Sequence, residues 1–407
     1  MVKKLSAYRT YIFYSCMCSL FSSMIFTVTM VYQVEVIHLT PLQLVLAGTI
    51  FEVVNFVFEI PTGIVADIYS RRLSIVIGVI VTGSGFVLQG MFPTYTAVLI
   101  SQILWGIGST FTSGAVEAWI AEEDKCRELN SVYLNGAQAG QLGSVVGIIT
   151  GAALGNFSLA LPIYLGGSLL IALGIFLVLL MPENNFSTVA SEELETFKKM
   201  VFIFKEGIKI IRKTKVLILL LLVALFHGLA SEGYDRLSTA HFLRDTELPS
   251  IWNLKPVTWF GLFGIAGMML SIIFMQLIIK KWRGSSDRKS ISILLVTNIL
   301  YAICMVVFGI TGNFSVMIIS YLALNMLRAI NRPIISALSN SYIDSKVRAT
   351  VLSTNGQINS LGEILGGPLI GLIANRFSIS IGITSTVIFI IPVIAVYYRM
   401  RIGVEKT

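Results

Sequence analysis

Three sets of polar side chains recur at helical spacing inside stretches that are otherwise apolar. Glu52, Asn55 and Glu59 form one set, His227, Ser231, Tyr234 and Asp235 a second, and Asn355, Asn359 and Glu363 a third. Gln141 and Asn325 are single amides in similar surroundings. Residues three or four apart share one face of a helix, so each set reads as a polar stripe. Carboxylates and imidazoles withdrawn from water are the groups that bind and release protons near neutral pH. The chemistry these stripes could support is therefore proton or cation exchange. Bond-making chemistry has no such footing. With 3 His and 4 Cys in the chain, no metal-ligand spacing and no nucleophile–base pairing is visible. No Gly-x4-Gly-Lys-Ser/Thr phosphate loop occurs either. No catalytic residue, metal or cofactor is expected.

The elements that must carry these stripes follow from composition. The chain has 407 residues, 55% hydrophobic and 13% charged, with a mean hydropathy of +0.82. A soluble domain carries about 25% charged residues. A chain this apolar is not disordered, and it lacks the polar surface a soluble enzyme of this length needs. It reads as an all-α polytopic membrane protein. A span needs about 20 apolar residues, and twelve are expected, at 9–32, 42–64, 73–91, 96–119, 131–154, 159–181, 216–238, 257–279, 291–310, 315–335, 351–374 and 379–398. Backbone groups in lipid must be satisfied within each segment, which makes these helices; the short alternating strands of a barrel are absent. At a 1.5 Å rise, Glu52 lies about ten residues into its span, His227 about eleven and Glu363 about twelve, near the bilayer midplane. Gln141 and Asn325 lie at similar depth. A charge there is costly unless it faces a cavity or a partner.

The net charge of +8 follows topology rather than nucleic acid. Of the 30 Lys and Arg, 26 fall in the segments on one side of the spans; the other side holds three near residues 236–255 and Arg376. Positive residues favour the cytoplasmic side, which places both termini there, in a cell membrane.

The longest polar stretch divides the spans six and six. We read residues 1–190 as an N-terminal half, 191–215 as a cytoplasmic linker and 216–407 as a C-terminal half. In the linker Phe197, Val201, Phe204, Ile208 and Ile211 share a face flanked by lysines and Arg212, the pattern of a helix lying on a membrane surface. An internal repeat accompanies the division. Lys125-Cys126-Arg127 precedes a span with Asn135-Gly136, Leu142-Gly143 and Gly147; Lys346-Val347-Arg348 precedes one with Asn355-Gly356, Leu361-Gly362 and Gly366. Arg71-Arg72-Leu73-Ser74-Ile75 is echoed by Arg288-Lys289-Ser290-Ile291-Ser292. Two repeated six-helix halves are a transporter architecture.

The loop after the second span reads Gly63-Ile-Val-Ala-Asp67-Ile-Tyr-Ser-Arg71-Arg72. It resembles the Gly-x-Leu-Ala-Asp-Arg-x-Gly-Arg-Lys loop of the major facilitator superfamily. Gly63, Ala66, Asp67, Arg71 and the basic Arg72 match; Ile68 and Ser70 depart. The resemblance implies a major facilitator fold, with the spans numbered 1, 2, 4, 5, 7, 8, 10 and 11 lining a central cavity. It also implies a cytoplasmic latch of Gly63, Asp67, Arg71 and Arg72, with Glu122 and Arg127 at the end of the fourth span as partners. By bare spacing, Asp67 and Arg71 are one turn apart and can pair.

Two further stretches bear on the kind of transporter. Many proton-coupled members have Arg-x-x-Gln-Gly in the fourth span; here the stretch is Gln102-Ile-Leu-Trp105-Gly106, without the arginine. In the fifth span Gly140, Gly147, Gly151 and Gly155 fit the glycine spacing of drug antiporters, while Ala152 and Asn156 replace the proline and last glycine of that pattern. Such glycines also serve plain helix packing. The expectation is a secondary transporter that exports a lipophilic or cationic small molecule, a drug, in exchange for protons by alternating access. Glu52, Asn55, Gln141, His227, Asp235, Asn325, Asn359 and Glu363 are the expected proton-coupling and cavity residues. The expected partners are the small-molecule substrate, protons and the lipid bilayer, not nucleic acid, and the chain is read as a monomer. The alternatives are an uptake symporter for a nutrient and, in another class, a membrane receptor or membrane-embedded enzyme.

Overall fold

The structure is a computed structural model, and it describes residues 6–124, 128–185, 214–249, 254–282, 286–343 and 348–404. The expected surface helix of the linker, and Arg127, lie outside these residues. All regular structure described is α-helix: α1 (Ala7–Glu35), α2 (Pro41–Ile68), α3 (Arg71–Met91), α4 (Tyr95–Thr112), α5 (Ala115–Glu123), α6 (Leu129–Gly155), α7 (Ala160–Leu180), α8 (Lys215–Asp245), α9 (Pro256–Trp282), α10 (Asp287–Ile310), α11 (Phe314–Ser341), α12 (Arg348–Arg376), α13 (Ile379–Ser385) and α14 (Val387–Val404). Among the described residues, 10 helices are long and apolar enough to cross a membrane. Side chains such as Leu142 (69% exposed), Ile319 (67%) and Ile60 (65%) stand on their outer faces, where only lipid suits them.

Two of the twelve spans are not single helices. The fourth, read from sequence as one segment over 96–119, breaks into α4 and α5 at Ser113-Gly114, where Gly114 takes the left-handed φ of 69°. The twelfth is interrupted at Thr386, between α13 and α14, yet is one of the 10 over Ile379–Ile402. The eleventh span, α12, is a continuous helix but too rich in Ser, Thr, Asn and Gln to reach the hydropathy of the others. Local chemistry sets the starts. Ser70 caps α3 by accepting from the Leu73 N–H at 2.9 Å, and Asn313 caps α11 by accepting from two N–H groups; such caps satisfy otherwise orphaned donors.

The chain forms two compact units. Unit 1 comprises Met1–Leu39, Ile50–Glu193 and Ile251–Gly264; unit 2 comprises Thr40–Thr49, Leu194–Ser250 and Ile265–Thr407. Within unit 1 the principal pairings are α1 with α6, α1 with α7, α3 with α7 and α3 with α4. Within unit 2 they are α8 with α12, α8 with α14, α10 with α14 and α10 with α11. Each pairing of one unit has its counterpart in the other, so the internal repeat is a repeat of packing.

Glycine makes the tightest pairings possible. A Cβ added to Gly143 or Gly147 would collide with the carbonyl oxygens of Cys16 and Leu20 on α1, and one on Gly151 would come within 2.6 Å of the Met24 carbonyl oxygen. In unit 2, Gly362 and Gly366 of α12 stand in the same relation to the Leu225 and Leu229 carbonyls of α8. Backbones meet along both seams, the geometry small residues allow in membranes.

Candidate functional site

The loop between α2 and α3 is the first cluster. Arg71 extends from the first turn of α3 to Glu122 of α5, with Nη1 to Oε1 at 2.8 Å, and the same Nη1 donates to the Ala118 carbonyl at 2.8 Å. Asp67 lies farther from Arg71, at 3.7 Å, and its side chain is 62% exposed. Glu183, which the sequence did not single out, accepts from the Ser70 hydroxyl at 2.6 Å and the Arg72 backbone N–H at 2.9 Å. The Arg72 guanidinium donates to the Val178 carbonyl. Glu123 accepts the backbone N–H groups of Asn184 and Asn185, and the Trp119 indole donates to the Pro182 carbonyl at 2.8 Å. α5 is thus tied to α3 and to the exit of α7. A Cβ at Gly63 would meet nothing within 4 Å, and nothing in the structure explains that glycine. In unit 2, the Tyr342 hydroxyl just past α11 is pushed up to about 12, by burial first and then by its hydrogen bond to Asp287 and that carboxylate's charge. A carboxylate link between helix ends thus recurs at the repeated loop.

The α2 stripe closes onto the fourth span. Ser109 donates to Asn55 Oδ1 at 2.6 Å, and Ser113 donates to Glu59 Oε1 at 3.2 Å, beside the α4–α5 break. Glu52, on the same helix, is half-buried. One turn before Ser109, Trp105 is packed among aromatic rings: it stacks on Phe51 at 4.0 Å and lies 4.8 Å from Phe26 and 5.7 Å from Phe86. Trp105, in the place of the pattern's glutamine, is an aromatic hub, while Gln102, in the place of the pattern's arginine, is buried.

Unit 2 contains a cavity of about 410 Å³ whose wall includes His227, Ser231, Arg328, Asn355, Asn359 and Glu363. Glu363 is its fixed acid. Its Oε1 accepts from the Ser231 hydroxyl at 2.9 Å and the Asn359 amide at 3.0 Å. Two donors on one oxygen fix the position of the carboxylate. His227 packs edge-on to Tyr301 at 6.5 Å, and its Nε2 is buried without a hydrogen-bond partner. Asp235 and Asn325 lie off this wall. Asp235 takes both terminal nitrogens of Arg328, one at 2.8 Å, and that guanidinium lies 5.6 Å over the Tyr234 ring. Arg328 is therefore a paired cation. Asn325 donates to the Tyr321 carbonyl at 3.0 Å.

Gln141 and Gly140 line a separate cavity of about 850 Å³ in unit 1, together with Tyr11, Tyr14, Tyr133 and Glu117. Of these four, the sequence drew attention to none. The other antiporter-like glycines form the α1–α6 seam, and Gly155 packs against Val28 and Val257. Asn156, in place of the pattern's last glycine, donates to Thr258 Oγ1 at 2.9 Å and offers its carbonyl to Lys255 Nζ at 2.7 Å.

His241, near the end of α8, is 1% exposed. Its Nε2 faces the Phe308 carbonyl at 2.9 Å and its Nδ1 the Asp245 carboxylate at 2.7 Å. A carbonyl only accepts, so in this geometry Nε2 donates to Phe308. The Glu232–Arg236 pair, 2.9 Å apart, occupies the space left by Gly48, where any Cβ would collide with both.

Comparisons with known proteins agree with this architecture. The sequence model of the Major Facilitator Superfamily matches residues 12–367. The uncharacterized MFS-type transporter YxaM of Bacillus subtilis (strain 168) is 23% identical over 385 residues, covering 90% of this chain and 91% of the relative. Among solved structures, the nucleoside transporter NupG superposes with a TM-score of 0.75 at 14% identity, over 99% of this chain and 100% of that one. A bacterial homolog of the human lysosomal transporter Spinster, inward-facing and unoccupied, superposes with a TM-score of 0.76 at 13% identity, over 97% of both chains. These likenesses carry the fold.

Proposed function

The chain belongs to the Major Facilitator Superfamily and is a secondary transporter of that kind, and on this premise we propose that it exports a lipophilic, cationic small molecule in exchange for protons. The observation that carries the proposal is Glu363. It lines a cavity inside unit 2, where the Ser231 hydroxyl and the Asn359 amide hold it in place. A carboxylate kept from lipid and steered toward a cavity is a proton-binding group. Glu52 is the second candidate. Proton loading at Glu363 would oppose binding of a cation in the same transport cycle, which is the thermodynamic requirement for antiport. A membrane potential of about 150 mV adds roughly 3.5 kcal/mol per charge moved.

In this reading the protein works as a monomer in the cell membrane, with both termini cytoplasmic. Halves 1–190 and 216–407 rock about the linker. Asp67, Arg71 and Glu122 latch the cytoplasmic side, and the α6 glycines let α1 and α6 move as one body.

The direction is tested in cells. Cells expressing the chain should accumulate less of a fluorescent lipophilic cation than cells without it, and collapsing the pH gradient should erase the difference. Greater accumulation would instead favour uptake. That second reading draws on two observations: the amides Asn331, Asn355 and Asn359 on the cavity wall, and the likeness to a nucleoside transporter.

A further inference from the structure

The cavity in unit 1 has a chemistry of its own. It opens between α1, the α4–α5 break and α6, and its volume lies within the range of about 300–1,000 Å³ usual for small-molecule sites. Among the described residues, Glu117 is the single charged side chain on its wall. No hydrogen bond or ion pair to that carboxylate exists among the described residues; only the residue's backbone carbonyl is engaged, by the Tyr133 hydroxyl at 3.2 Å. The exposed carboxylate shares the cavity wall with three phenols, those of Tyr11, Tyr14 and Tyr133. Tyr11 and Tyr133 meet edge to face, with centroids 6.5 Å apart.

The backbone is shaped to make this space. The left-handed Gly114 ends α4 and starts α5, which carries Glu117 in its first turn. On the facing helix, Gly136 gives room to the Tyr11 ring, which any Cβ there would strike. Gly140 keeps the next turn flat against Ser19. The remaining wall is mostly hydroxyls and small residues, with no basic group among the described residues. Aromatic rings beside a carboxylate with no countercharge among the described residues are complementary to one ligand class, an organic cation with an apolar body. An anion would meet repulsion, and a neutral solute would leave the carboxylate unpaired.

We propose that this cavity is a binding site for an organic cation, with the positive charge against Glu117 and the apolar body among Tyr11, Tyr14 and Tyr133. The proposal rests on the reading of the chain as a cation exporter and locates the cation within it. It also separates the cation from Glu363, so that substrate and proton need not compete for one carboxylate.

The test is equilibrium binding of tetraphenylphosphonium to the purified full chain in nanodiscs, with no pH gradient. This probe keeps its charge at every pH. Wild type should bind it saturably. Glu117→Gln and Tyr14→Leu should each weaken binding about tenfold or more, whereas Tyr14→Phe, which keeps the ring, should bind within about twofold. Glu117→Asp, with unchanged thermal stability, checks the fold and should retain most of the affinity. Absence of saturable binding by wild type overturns the proposal. So does a Glu117→Gln protein that binds as wild type does. The transport reading stands apart from this result. Normal binding without gradient-driven transport would sink the antiport reading and leave the site; transport indifferent to Glu117 and Tyr14 would sink the site and leave the antiport reading.

Discussion

The separation of roles is sharpest at single residues. Glu363 and Asp235 are both acids on polar stripes. Glu363 accepts from the Ser231 hydroxyl and the Asn359 amide, and Asp235 binds the Arg328 guanidinium. Removing one partner of a paired charge strands the other, while neutralising both is far less costly. Arg328→Met should therefore lower stability by about 1 kcal/mol, a discounted figure because Asp235 is 43% exposed. The double variant Arg328→Met with Asp235→Asn should recover part of that loss. Thermal unfolding in detergent reads both alongside Asp235→Asn alone, and a double-variant loss equal to the sum of the two single losses would show that the pair is not coupled. From sequence, Glu363 was legible by its depth and its face, shared with Asn359. The Asp235–Arg328 pair was not, because the partners are 93 residues apart and no local spacing links them. Glu117 escaped notice for another reason. A continuous span over 96–119 puts it at a helix end, where a charge is unremarkable; only the break at Gly114 places it on a cavity wall.

Among the elements, the paired glycine seams and the broken fourth span yield two independent expectations. Gly147→Leu should jam α6 against α1, since even a Cβ there collides with the Leu20 carbonyl. Loss of folded protein on size-exclusion chromatography is the expected result; a well-folded, active variant would contradict the seam. Gly114 is different in kind. A Cβ there meets nothing within 4 Å, so Gly114→Ala isolates the backbone cost of a left-handed conformation. That cost is about 1 kcal/mol, visible as a lowered Tm with no change in insertion. An unchanged Tm would mean that α4 and α5 join without the left-handed turn. The spacing of the glycines could be read from sequence, but their partners could not. A period of 3.6 residues names a face without naming the helix that covers it, and one breaking glycine among 34 carries no mark of its φ.

For the whole molecule, twelve spans, their charge asymmetry and the repeat were legible because the bilayer imposes length and polarity on every segment. The repeat then reappears as matched helix pairings in the two units. Substrate and coupling are less legible, since they depend on which side chains from distant spans meet. The latch loop belongs to this scale. Asp67 is exposed and only loosely paired, so Asp67→Ala should cost little stability yet reduce transport severalfold. Full activity at normal expression would remove Asp67 from the latch. Glu122→Gln, which strands Arg71, should lower stability as well.

The claim on which this account turns is proton coupling through Glu363. The most direct measurement is accumulation of a lipophilic cation in proteoliposomes under an imposed pH gradient, comparing wild type with Glu363→Gln and Glu52→Gln. The account predicts that wild type drives the cation uphill, and that Glu363→Gln loses uphill transport while still equilibrating the cation down its own gradient. Uphill transport by both variants, with the pH dependence of wild type, would contradict it.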